Sequence, residues 1–385
     1  MSRGYDDIVA AVPVTVPYVR RSEHGADWFL ARALAALVAQ SGLRKSVIDG
    51  LCASSFTLGP DTAVALTQHV GLSPRYLEWL PMGGACGVVA LRRAARAVQA
   101  GDADVVACIA GDTANDGSFR DLLAGFSSFS RAAVYPYGAG GANASFALIT
   151  DAYMHRYGAT RQDFGRLCVA QRDNARRNPL ALLRGALTLE QYLAARPIAE
   201  PLHLFDCVMP CAGADGFLVM QRGRAEALGL RHVRLLGAIE RHHAFPDDPV
   251  QLRGGWAMDR EALWAQAGLA PGDMDVVQTY DDYPVIALMQ LEDLGFCAKG
   301  EAVAFARAHD FTVDGDLPMN TGGGQLSMGQ AGAAGGYLGL VEALRQLTGT
   351  AEGRQVAGAR HALVSGFGMI NYDRGLCSAA CVLGQ

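Results

Sequence analysis

Positive charge is in short supply in this sequence. Its 33 Lys and Arg are outnumbered by 38 Asp and Glu, for a formal net charge of −5, and the basic residues are scattered. Nucleic-acid binders usually carry a basic excess or stripe, so that class is set aside. The short run from Arg172 to Arg177 reads as a solvated helix face, with a polyanion contact as the alternative. Long apolar runs are also missing. Nothing approaches the roughly twenty consecutive apolar residues that a membrane span needs. Asp6, Asp7, Pro13 and Pro17 interrupt any secretory apolar stretch at the start of the chain. A cytoplasmic location is expected.

Cysteine pairing is a third absence. The 9 cysteines are an odd number and sit in apolar surroundings, which suits a reducing compartment. Cys207 with Cys211, and Cys377 with Cys381, lack the two-residue spacing of a zinc knuckle, and no histidine lies beside either pair. No metal site is expected.

What is present is one unit written twice. Phe29 to Gln40 is helical in pattern and leads through Ser41-Gly42-Leu43 to Asp49 and a strand from Leu51. Arg260 to Gln266 leads through Ala267-Gly268-Leu269 to Asp275 and a strand from Val276. Gly42 and Cys52 are as far apart as Gly268 and Gln278. Further on, Gly83-Gly84-Ala85-Cys86-Gly87 opens an alanine-rich helix ending near Gly101, and the strand from Asp104 to Gly111 follows. The second counterpart is a helix from Gly329 through Leu347 and the strand from His361 to Gly366. The halves are placed at 1–230 and 231–385, with an excursion at about 113–200 inside the first. Alternating strands and helices predict an α/β architecture with mostly parallel sheets.

Cys86 is the first candidate for chemistry. It follows a glycine turn and starts a helix, where unpaired amides and the dipole favour thiolate and offer an oxyanion site. A buried packing role is the other reading, since burial is the common fate of cysteine.

The segment GGACGVVALRRAARAVQAGDADVVACIAGD resembles the nucleophile segment of thiolases. Tyr157-Gly158-Ala159-Thr160, Asn178-Pro179-Leu180-Ala181, Asp206-Cys207, Ala214-Asp215-Gly216 and Asn320-Thr321-Gly322-Gly323-Gly324 resemble the sterol-carrier-protein-type thiolases and their relatives. The resemblance covers nearly the whole chain. It implies a duplicated fold in five layers, α-β-α-β-α. It also implies a homodimer, an acyl-CoA substrate with no permanently bound cofactor, and Cys86 as the acylated residue.

Three departures bear on mechanism. Where those thiolases carry His-Asp-Cys-Phe, this chain has Tyr280-Asp281-Asp282-Tyr283. Gly-His-Pro is replaced by Gly329-Gln330-Ala331, and the second catalytic cysteine by Ser365. The usual proton machinery is therefore absent. Tyr280 resembles the tyrosine that steroid side-chain retro-aldolases of the superfamily carry on this loop, although those enzymes also have a tyrosine at the place of Gln330. Asp281 stands between a catalytic role and a structural cap, while Asp282 is expected to be a structural anchor. Gly87, Gly324, Gly366, Phe367 and Tyr137 are the expected oxyanion and substrate contacts. Phe119, Phe126, Phe129 and Tyr135 join Tyr137 as an aromatic set that hints at a bulky acyl group, with packing inside the excursion as the alternative.

Three functions follow: an acyltransferase working through a Cys86 acyl-enzyme, a retro-aldolase on a β-hydroxyacyl-CoA using Tyr280, and a non-catalytic acyl-CoA or lipid binder. Thiolase-like chains without the Gly-His-Pro histidine often resemble members that act with a small zinc-ribbon and OB-fold subunit, so such a partner is expected as well.

Overall fold

The computed structural model describes residues 4–115, 127–139 and 141–385. Phe119 and Phe126 lie outside the described residues. The strands are β1 (Ile8–Val19), β2 (Gly50–Ser54), β3 (Tyr76–Trp79), β4 (Val105–Asp112), β5 (Pro197–Ala199), β6 (Leu202–His203), β7 (Ala212–Gln221), β8 (His232–His242), β9 (Val276–Gln278), β10 (His361–Asn371) and β11 (Arg374–Gly384). Nine of them join in the order β3-β2-β4-β7-β1-β8-β11-β10-β9, and β5 pairs with β6 in a separate ribbon.

That order contains the repeat. The series β2-β4-β7-β1 of the first half recurs as β9-β10-β11-β8 in the second. The half-sheets meet where β1 and β8 pair antiparallel through Val9–Arg234, Ala10–Val233 and Ala11–His232.

Only part of the sheet is parallel, which corrects the expectation of mostly parallel strands. β2–β3, β2–β4 and β9–β10 run parallel, whereas β4–β7, β1–β7, β1–β8, β8–β11 and β10–β11 are antiparallel. The reason is connectivity. β10 and β11 are joined by a tight hairpin between Asn371 and Arg374, which can only link antiparallel strands. β7 returns beside β4 after the long excursion.

Helices Cys86–Ala100 and Gly335–Thr348 pack against each other and touch strands of both halves, forming the central layer of the five-layered α-β-α-β-α fold. Their composition permits it. Small residues let backbones approach, and a Cβ added to Gly87 would lie 2.2 Å from the Gly336 carbonyl oxygen. Each helix ends in a left-handed glycine, Gly101 at φ 81° and Gly349 at φ 68°, the conformation that glycine adopts without steric cost. Helix Ala26–Ser41 covers the outer face of the first half and Trp256–Ala267 that of the second. The second central helix starts later than the sequence suggests, because Gly332–Ala334 forms a 3-10 turn before it.

Among the described residues, no helix is long and apolar enough to cross a membrane. The excursion between β4 and β7 carries helices Gly141–Tyr157 and Arg161–Arg176. Their buried residues Phe146, Tyr153, Phe164 and Leu167 pack into the same apolar core as Ile286, Met289 and Phe367 of the second half. The excursion is thereby anchored on the second half.

Candidate active site

A cavity of about 710 Å³ opens between the excursion and the two halves. Phe146, Phe205, Val208, Leu326 and Phe367 give it apolar walls. Tyr280, Asp282, Gln330 and Asp112 supply polar groups in those walls.

Tyr280 sits two residues beyond β9, just ahead of helix Pro284–Asp293, and is 7% exposed. Gln330 Nε2 donates to its hydroxyl oxygen at 2.8 Å. Its backbone is fixed by Gln290, which bonds both its N–H and its C=O. Gln290 Oε1 also accepts from Ser365 Oγ at 2.6 Å. The ring lies against Gly84, where an added Cβ would come within 2.0 Å of Tyr280 Cε2 and Cζ. Burial, then the neighbouring Asp282 and Cys86, push the phenol well above its ordinary value. The Tyr280 phenol is therefore neutral at physiological pH.

Of the two readings open for Asp281 the structure shows the cap, while Asp282 lacks the anchoring bonds expected of it. Asp281 is the cap: its carboxylate accepts from the backbone N–H of Gln325 at 2.8 Å and of Leu326 at 3.4 Å. Asp282 lines the cavity, and its Oδ1 has no hydrogen-bond partner. Alternation along an extended segment turns neighbouring side chains to opposite sides, and the sequence does not say which side is the cavity. Burial, with Asp281 beside it, pushes the Asp282 carboxyl well up. Burial raises Asp281 to about 7 against the amides that lower it.

Cys86 does not reach the cavity. It is 0% exposed and absent from the lining, which Gly83 and Gly84 supply in its place. Its Sγ donates to the Ala333 carbonyl at 3.1 Å, and burial pushes the thiol far up rather than down. The helix-start argument fails for a definable reason. Gly83–Ala85 forms a 3-10 turn, so the Ala85 N–H is spent on Met82 O and the Cys86 N–H on Gly83 O. The Cys86 amide still pulls the thiol down, but burial outweighs it.

The other expected residues are placed as follows. Phe367 lines the cavity and packs beside Trp256 and Phe146. Gln330 lines it as well. Ser365 and Gly324 line a second, minute cavity of about 20 Å³ behind Tyr280. A Cβ at Gly324 would meet the Asp281 carboxylate at 2.0 Å, so that glycine admits the cap rather than a substrate. Gly87 packs the central helices together, and Gly366 packs β10 on the turn before Cys86, where an added Cβ would lie 2.6 Å from Gly84 O. Tyr137 is 88% exposed and Phe129 is 68% exposed; neither lines the cavity. Cys207 and Cys211 do line it.

Asp112, at the end of β4, went unnoticed in the sequence. Its Oδ1 accepts from Ser55 Oγ, Phe56 N, Thr57 N and Thr57 Oγ1, and its Oδ2 from Ala333 N at 2.7 Å. It ties a first-half loop to the second-half turn that covers Cys86. Gln290 was missed too, inside an apolar helix where a lone glutamine is the only local signal.

Residues 250–379 match the family model described as thiolase C-terminal domain-like. The chain is 35% identical over 357 residues to the 17-hydroxy-3-oxo-4-pregnene-20-carboxyl-CoA lyase of Mycobacterium tuberculosis, across 87% of this chain and 89% of that protein. It is 34% identical over 336 residues to the steroid side-chain-cleaving aldolase of Thermomonospora curvata, across 83% and 84% of the two chains. The solved structure of the Ltp2-ChsH2(DUF35) aldolase superposes with a TM-score of 0.82 at 28% identity, over 98% of this chain and 97% of that one. On these grounds the chain belongs to the thiolase superfamily, in the branch of sterol-carrier-protein-type thiolases and steroid side-chain-cleaving aldolases.

Proposed function

We propose that this chain is a carbon–carbon lyase of the retro-aldol type, acting on β-hydroxyacyl thioesters of coenzyme A with Tyr280 as its proton donor. One contrast carries the reading: the Tyr280 side chain stands in the cavity wall, bonded to Gln330, while the Cys86 sulfur is enclosed. In the cleavage direction a base takes the β-hydroxyl proton, and the O–H electron pair becomes the new C=O bond. The Cα–Cβ bond breaks, and its electrons form the thioester enolate, which takes a proton at Cα. A neutral phenol suits that last transfer. Asp282 suits the first, because it has an unpartnered oxygen and its raised pKa makes the ionised form a stronger base than an ordinary carboxylate. Return of the proton from Asp282 to Tyr280 resets the site.

The relatives named as a CoA lyase and as a side-chain-cleaving aldolase support this direction of chemistry. A cavity of about 710 Å³ with apolar walls suits a bulky apolar acyl group. The aldolase that this chain resembles is named together with ChsH2(DUF35), which supports a small second subunit completing the acyl-CoA site. A cytoplasmic homodimer is the expected setting for the chain itself.

Acyl transfer through Cys86 is the competing reading. It needs that sulfur at a thioester carbonyl, and the enclosed position and raised thiol weigh against it. The deciding experiment compares Tyr280→Phe with Cys86→Ala on a panel of β-hydroxyacyl-CoAs, with and without a co-expressed small subunit. Tyr280→Phe is expected to lower kcat by about 10²- to 10⁴-fold, the usual worth of a proton-transfer residue, and Cys86→Ala by less than about tenfold. The reverse ranking, or an acyl mass shift on Cys86, overturns the proposal. Tight binding with no turnover across the panel overturns it in favour of a non-catalytic carrier.

A further inference from the structure

The cavity wall holds one buried cation that the proposed chemistry does not use. Arg172, on helix Arg161–Arg176, lines the cavity and is 7% exposed. Its Nε donates to Ser327 Oγ at 2.9 Å, and its guanidinium carbon lies 5.7 Å from the Phe205 ring centroid. Its two terminal amino groups donate no hydrogen bond, and no carboxylate pairs with it, among the described residues. Arg176 and Arg177, further along the same run, are exposed and paired with Asp173 and Asp314. The expectation of a solvated basic face holds for those two and fails for Arg172.

A guanidinium stays charged in a protein, and a buried charge without a partner is costly. A ligand that brings the anion removes that cost. We propose that Arg172 binds a carboxylate carried on the acyl portion of the substrate, remote from the thioester. Two free amino groups in one plane match one carboxylate bidentately. The phosphates of coenzyme A are multiply charged and strongly hydrated, and Arg20 and Arg196 offer cations to them at the exposed margin of the same cavity. The ligand class is thus an apolar acyl-CoA with a second, free carboxylate. This deepens the retro-aldolase reading and rests on it only for the coenzyme A thioester.

The test is calorimetric binding to the full chain, so it does not depend on turnover. The probes are octanoyl-CoA, the coenzyme A half-thioester of octanedioic acid, coenzyme A alone and 3′-dephospho-coenzyme A. The unmodified chain is expected to bind the half-thioester at least about tenfold more tightly than octanoyl-CoA, a typical effect of one charge-assisted contact. Arg172→Met should abolish that preference and leave octanoyl-CoA affinity within about twofold, while Arg172→Lys keeps part of it. Absence of a preference in the unmodified chain overturns the proposal even if the variants fail to fold. Equal weakening of coenzyme A alone and the half-thioester in Arg172→Met, with 3′-dephospho-coenzyme A insensitive, overturns it by assigning Arg172 to a phosphate. Either outcome leaves the ranking of Tyr280 over Cys86 standing.

Discussion

Gln290 grips Tyr280 by the backbone from both sides: its Oε1 accepts the Tyr280 N–H at 3.0 Å and its Nε2 donates to the Tyr280 carbonyl at 2.7 Å. A side-chain amide here does what a neighbouring strand does for a sheet residue. The phenol ring is thereby placed by a helix rather than by a free loop. Gln290→Leu removes both partners from buried backbone groups, each worth about 1–3 kcal/mol when left unsatisfied. We expect a loss of about 2–4 kcal/mol in urea unfolding and a fall in kcat larger than any rise in KM. A variant with normal kcat would show that Tyr280 is held by other means.

Gly84→Ala is expected to be more damaging than most glycine substitutions, because the added methyl would overlap the Tyr280 ring at 2.0 Å. Overpacking of this kind typically costs about 1–3 kcal/mol. Displacement of the phenol from Gln330 should lower kcat by at least about tenfold, since general acid catalysis contributes about 10²–10⁴. Gly272→Ala, where an added Cβ meets nothing within 4 Å, is the matched control. Steady-state kinetics on the pair checks the claim.

Asp281 should make the fold less stable as pH rises. Burial lifts its folded-state pKa to about 7 from an ordinary 3.8, so the folded state holds a proton that the unfolded chain has lost. Its contribution is fully present below about pH 4 and is lost as pH climbs through about 7. The difference between 3.8 and about 7 corresponds to at most about 4 kcal/mol. Asp281→Asn keeps an oxygen for the cap and removes the titration. The stability difference between Asp281→Asn and the unmodified chain, from urea melts between pH 4 and pH 7.5, should therefore grow with pH in favour of the variant. A flat difference would rule out Asp281 as the titrating group.

Thiol labelling should bypass Cys86. Cys207 and Cys297 are half-buried, whereas Cys86 and the remaining cysteines are buried. Brief treatment with iodoacetamide at pH 8, followed by peptide mass spectrometry, is expected to modify Cys207 and Cys297 first. Early modification of Cys86 would reopen the acyl-enzyme route.

Much of the fold was readable because duplication leaves marks that do not depend on local propensity. Two Gly-Leu turns at equal distances from two strands identified the halves before any motif did. Strand direction was not readable in the same way. It depends on how β7 returns after the excursion, and nothing in the run Ala212–Gln221 encodes its neighbour. At the site, Tyr280 was found from its departure from a familiar loop. The role of Asp281 stayed open between catalysis and a cap, because only the packed structure says which aspartate meets the amides of Gln325 and Leu326. Cys86 shows a limit of a different kind. A glycine turn and a helix start are visible in sequence, but whether the first amides are already taken is decided by a 3-10 turn that those same glycines allow. Arg172 was hidden among neighbours of its own charge.

The carboxylate of Asp112 has consequences for how such a chain can change over generations. Its two oxygens are shared between a loop of one ancestral copy and a turn of the other. The first copy satisfies one of those oxygens by itself and leaves the other to the second. Separately expressed halves would each expose a debt that only the missing half can settle. Drift in the Ser55–Thr57 loop is then held in check by a turn far along the same chain.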